Sequence, residues 1–138
     1  MNKLEFGVQL QRRTKAFAVQ IVKFCARLPK TDEARVMGRQ LLRSGTSAAA
    51  NYRAVCRAKS DADFISKLKT VVEQADETLF WLELFDKTTV CTSPAAHALR
   101  AESIELLRIF TKSLDTAKRN KKRREGLTDA PVSIFPTH

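Results

Sequence analysis

Leu10, Phe17 and Phe24 recur at seven-residue intervals near the start of the chain, and Thr14, Ile21 and Leu28 fill a second seam between them. Paired seams at that spacing belong to a helix packed against antiparallel neighbours. They predict a first helix over about residues 3–27, stopped by Pro29. Thr31 is placed to cap a second helix over about 32–58, with Asp32 and Glu33 complementing its positive end. On a wheel with Arg35 at zero, Met37, Leu41, Leu42, Ala48, Ala49, Tyr52, Val55 and Cys56 fall between about 200° and 340°, the width of a buried face. Gly38 and Gly45 share that arc, where each costs about 1 kcal/mol relative to alanine unless another helix approaches closely.

Ser60, with Asp63 three residues on, resembles a capping box and opens a third helix over about 61–87. Phe64, Leu68, Val71, Val72, Ala75, Leu79 and Leu82 form its core stripe. The end of this helix, LFWLELF, is apolar nearly all round. Phe80, Trp81, Leu84 and Phe85 point to about 160°, 260°, 200° and 300° from Phe64. In a four-helix domain each helix keeps one face for water, so these four residues are read as a subunit contact. Ser93 followed by Pro94 starts a fourth helix over about 94–117, carrying Leu99, Ile104, Leu106, Leu107, Ile109, Phe110 and Leu114. From Lys118 the period stops, and residues 118–138 read as a basic, flexible C-terminal tail. The whole pattern predicts an all-α fold, an antiparallel up-and-down four-helix bundle in residues 1–117, about 35–40 Å long.

A chain of 138 residues suits one domain and is long enough to bury a core without disulfides or metal. Its three cysteines, Cys25, Cys56 and Cys91, show no CxxC spacing and read as small apolar residues kept reduced, which implies a cytoplasmic setting. No apolar run approaches the length of about 18 residues that a membrane span requires. Charge changes the picture more. The net charge is +10: residues 118–138 hold six Lys/Arg and two acids, and the other 117 hold 19 bases and 13 acids. The bundle is therefore basic without its tail, which favours anionic partners.

Catalytic chemistry has few places to reside. His97 and His138 have no Cys, Asp or Glu at metal-ligand spacing, and the ExxH signature of bundle di-iron sites is missing. Glu73 and Glu77 form an i, i+4 carboxylate pair, more often a solvated face than an acid–base or Mg²⁺ site. Ser44, Thr46 and Ser47 have no histidine near them in the pattern, and no Gly-rich phosphate loop occurs. The chain reads as non-enzymatic, with no cofactor and no metal.

A row of arginines remains. On the wheel of the second helix, Arg35, Arg39, Arg43, Arg53 and Arg57 lie within about 80° of one another, and no acid lies on the arc between Arg35 and Arg57. Arginine suits bidentate contact with phosphate. Lys30, Lys59 and the run Lys121, Lys122, Arg123 and Arg124 extend the footprint. Aromatic residues are not interleaved with these bases, so contacts to backbone phosphates of structured RNA or DNA are expected rather than stacking on single strands. A different class of reading is an assembly or adaptor protein, its arginines paired to carboxylates such as Glu73 and Glu77 across subunits.

The segment from Gly38 to Leu84 carries QLLRS with Arg43, Ser47 and Asn51 following, then an S-x-x-DF start at Ser60–Phe64, then WLEL. It resembles the four-helix-bundle family of proteins encoded in intervening sequences of bacterial 23S ribosomal RNA genes, also labelled S23 ribosomal protein. An acid and a glycine that many members carry after the asparagine are Ala54 and Val55 here. The resemblance implies a bundle that assembles into a ring-like homopentamer, with kinship to the accessory protein of diversity-generating retroelements. That kinship brings a reverse transcriptase and nucleic acid as implied partners. It carries over no catalytic residue.

Overall fold

The computed structural model describes residues 1–126. Four helices account for most of them: α1 (Lys3–Ala26), α2 (Asp32–Val55), α3 (Asp61–Thr88) and α4 (Pro94–Arg124), with no strand among the described residues. Each start is capped by the side chain that precedes it. Thr31, Ser60 and Ser93 accept hydrogen bonds from the backbone N–H groups of Ala34, Asp63 and Ala96. Asn2 and Glu5 form a full capping box ahead of α1. At α3 the second half of the box is altered. The Asp63 carboxylate accepts from Lys67 Nζ at 2.6 Å and from the Lys59 N–H at 3.0 Å. Chiefly through Lys67, these bonds hold its carboxyl below the ordinary aspartate range.

Side-chain contacts fix the directions of the helices. Cys56 lies by the carbonyl of Gly7, Gly45 by Ile21 and Gly38 by Leu28, so α1 and α2 run antiparallel. Asp86 with Arg100 and Asp61 with Arg124 do the same for α3 and α4. Successive helices pack along their lengths, whereas α1 and α4 touch much less. The core follows the predicted seams of α1, where Leu10, Thr14, Phe17, Ile21 and Phe24 are all buried.

A Cβ built on Gly45 would stand 3.2 Å from both Cγ1 and Cγ2 of the fully buried Ile21, which is why this position is glycine despite its cost in a helix. Ile21 is β-branched and has little freedom to move aside. Gly45→Val should therefore lose about 1–3 kcal/mol by overpacking, read as an earlier denaturant midpoint. An unchanged midpoint would show that α1 and α2 are not held this close.

Three expectations are corrected. α2 ends at Val55 rather than near 58, and Leu42 and Cys56 are exposed while Ser44 joins Gly38 and Gly45 inside. α4 continues through residues 118–124, expected to be a flexible tail. Asn120 keeps the buried register of Ser113, Thr116 and Ala117 although it is polar, Arg124 reaches Asp61 at the start of α3, and basic residues suit the negative end of a helix. Residues 127–138 of the expected tail lie outside the described residues. Finally, Phe85 is no surface residue. It is completely buried and packs edge-on against Phe24, with ring centroids 5.7 Å apart. The buried positions of α3, which include Thr78, centre nearer 340° than the predicted stripe, and Phe85 falls within that arc. Trp81 and Leu84 are half-buried at its flanks, and only Phe80, opposite the core, is exposed at 52%.

Candidate nucleic-acid interface

The arginine row starts from helix geometry. Burial of Ala34, Leu41, Ala48 and Val55 on one side of α2 sends Arg35, Arg39, Arg43 and Arg53 to the other, and all four are exposed. Arg57 is exposed as well, but it stands in the turn beyond the helix. From Arg35 to Arg53 the row spans about 27 Å of helix axis.

The row is not electrically uniform. Arg35 donates to Asp32 across the first turn at 2.9 Å. Arg43 donates to Gln40 at 3.1 Å, to Gln74 at 3.3 Å and to the carboxylate of Glu77, which also accepts Trp81 Nε1–H at 3.1 Å. Arg43, Glu77 and Trp81 thus clamp α2 to α3 within one chain, and Glu77 is not free to pair with Glu73 as an acid–base couple. Arg39, Arg53 and Arg57 make no ion pair or side-chain hydrogen bond among the described residues.

The basic run on α4 joins part of this set. The Arg124–Asp61 pair draws the end of α4 to the start of α3, beside the turn that carries Arg57 and Lys59. Lys121 pairs with Glu125, while Lys122 and Arg123 are exposed and make no ion pair among the described residues. Lys3, at the start of α1, lies over the Phe64 ring at 5.5 Å. Lys3, Arg53, Arg57, Lys59, Lys122 and Arg123 therefore collect at one end of the bundle. At the other end Asp86 accepts from Arg100 at 2.8 Å and stands 3.4 Å from His97 Nε2, and Asp32 and Glu33 open α2, while Arg27, Lys30 and Lys87 are exposed and make no ion pair among the described residues. Lys30 belongs to that end, away from the cluster.

The sequence reading did not single out Lys3. A signal for it exists, since an up-and-down chain sends the starts of α1 and α3 and the ends of α2 and α4 to the same end. Sorting charges by end rather than by helix face would have found this cluster.

Among the described residues no group of three or more His, Cys, Asp or Glu is placed to hold a metal ion, and His138 lies outside them. No helix among them is long and apolar enough to cross a membrane. Burial pushes the half-buried Cys25 thiol up to about 11, while Cys56 is exposed.

Residues 8–112 match a family model described as 23S rRNA-intervening sequence protein. A crystal structure of a protein with unknown function from the S23 ribosomal protein family of Bacteroides thetaiotaomicron is similar at 35% identity, over 76% of this chain and 97% of that one, with a TM-score of 0.70. No curated protein matches the chain.

Proposed function

Since the chain belongs to the 23S rRNA-intervening sequence protein family, we propose that it is a non-enzymatic, cytoplasmic, homo-oligomeric four-helix bundle that binds structured RNA or DNA through backbone phosphates. The observation that carries this reading is the cluster of unpaired bases at one end, Arg53, Arg57, Lys59, Lys122 and Arg123, with Arg39 further along α2. Exposed arginine and lysine that make no ion pair among the described residues attract phosphate and gain from counterion release. A ring-like assembly strengthens the effect, because rotational symmetry repeats the same end of every bundle around one face. The reverse transcriptase remains a partner by family kinship only. A filter-binding titration against duplex DNA and structured RNA tests the proposal: affinity should fall steeply with salt, and a flat response would end it.

Phe80 is the apolar residue of α3 that faces water in a single chain, so it takes the interface role first given to four residues. Phe80→Ala should lower the mass seen by light scattering while leaving the melting temperature of the bundle within about 2 °C, since an exposed side chain contributes little to the core. An unchanged mass would remove Phe80 from any subunit contact. The adaptor reading draws on a different pair of residues, Arg39 and Glu73, both exposed and unpaired among the described residues. Under it, Arg39→Glu breaks the oligomer in sedimentation and nucleic-acid affinity is low from the start.

A further inference from the structure

Tyr52, the aromatic residue of α2, is buried, so the arginine row has no ring of its own to offer a nucleobase. The fold supplies one from α3. A cleft of about 720 Å³ opens at the basic end of the bundle, between the start of α1 and the α2–α3 turn, and half-buried Phe64 stands on its wall with Leu4 and Val8. Lys3 Nζ lies 5.5 Å from the centroid of the Phe64 ring, and Arg57 and Lys59 complete a cationic rim. Asp61, the acid of that rim among the described residues, is paired with Arg124. At the inner end stands Ser113 of α4, 5% exposed, whose hydroxyl has no hydrogen-bond partner among the described residues.

These groups discriminate among ligands. A hydrocarbon chain suits the apolar wall but leaves the Ser113 hydroxyl unpaired, and a bare phosphate suits the rim but leaves the wall wet. A nucleotide answers all three features. It has a ring face to stack on Phe64, edge nitrogens and oxygens for a hydroxyl, and a phosphate for the lysines and arginine. The volume falls within the range of about 300–1,000 Å³ typical of small-ligand sites. A nucleobase paired within a duplex keeps both faces stacked and cannot enter, so the cleft selects one that is unpaired.

We propose that this cleft takes one unpaired nucleotide of a structured RNA or DNA, its nucleobase stacked on Phe64 with an edge on the Ser113 hydroxyl and its phosphate on Arg57 and Lys59. Lys3 leaves the ring for the phosphate as the nucleobase arrives. The proposal rests on the nucleic-acid reading and sharpens it, because the preferred ligand becomes a junction between paired and unpaired strand.

The test uses one RNA hairpin with two forms of the same overhang, one of adenosines and one of abasic residues, so that phosphates are equal in number and only nucleobases differ. Filter binding of the full-length chain at fixed salt should give the adenosine form about tenfold higher affinity, the size of a single stacking contact. Phe64→Leu keeps the wall apolar and should erase this preference, leaving affinity for the abasic form within about twofold. Ser113→Ala removes a hydroxyl that bonds nothing among the described residues and should cut the preference about threefold. Location is read at Cys56, whose exposed thiol lines the cleft: the adenosine hairpin should slow its alkylation by N-ethylmaleimide and leave half-buried Cys25 unchanged. Equal affinities for the two overhangs overturn the proposal while phosphate binding stands, whereas failure of both hairpins to bind overturns both readings. A preference that survives Phe64→Leu and Ser113→Ala, or that comes without protection of Cys56, puts the nucleobase elsewhere and overturns the proposal. Protection of Cys56 that needs no RNA and grows with protein concentration assigns the cleft to a second copy and overturns it as well.

Discussion

Phe85→Ala is expected to lower the stability of the bundle by about 3–5 kcal/mol, the range for emptying a large buried aromatic site. Phe85 heads the fully buried side chains by volume, and removing it also removes its edge-on contact with Phe24 on α1. Its neighbours are poorly placed to collapse into the space, because α3 is held on one side by the Arg43–Glu77 clamp to α2 and on the other by Asp86 with Arg100 of α4. For a domain of this size each kcal/mol moves the melting temperature by roughly 3–5 °C, so a fall of about 10–20 °C is anticipated. Thermal melts by circular dichroism supply the measurement. If the variant instead melted like the parent and only its oligomeric mass fell, Phe85 would be a contact between subunits after all.

The second large effect concerns salt. Six exposed bases with no ion pair among the described residues, Arg39, Arg53, Arg57, Lys59, Lys122 and Arg123, give a slope of log K against log salt of about −5 if all meet phosphates of one B-DNA duplex. Between 50 and 200 mM salt that slope removes roughly 10³-fold in affinity. Neutralising three of the six as Arg53→Gln/Arg57→Gln/Lys59→Gln should flatten it by about 3, leaving a loss of roughly 40-fold over the same range. Arg43→Gln separates the readings, because Arg43 already pairs with Glu77. It should leave the slope nearly as it was and weaken the α2–α3 clamp instead. A slope that falls as much for Arg43→Gln as for each unpaired base would mean that this guanidinium leaves Glu77 for phosphate.

How far the sequence reached is clearest at particular residues. The heptad seams of α1, the caps Thr31, Ser60 and Ser93, and Pro94 at a first helical position are visible in it, because spacing and capping are local and depend on the few residues around them. The apolar end of α3 was visible too, but its meaning was not. A wheel reports direction and cannot say how many neighbours surround a helix, so Phe85 in the core and Phe80 in water looked alike. The helical course of residues 118–124 was hidden for a related reason. Nothing apolar marks it, and what accompanies it is tertiary: Arg124 pairs with Asp61 of α3, and Asn120 is buried.

From its residues alone the chain determined four amphipathic helices, their order and, except at the end of α4, their limits to within a few residues, a basic surface and family membership by motif, since all of these are written in local periodicity and composition. Tertiary structure decided which arginines are free and which are spent on Asp32 and Glu77, which aromatic of LFWLELF faces outward, and that the bases of four separate helix ends share one end of the bundle. Those outcomes depend on groups distant in sequence meeting in space, and charge pairing and burial are properties of that meeting.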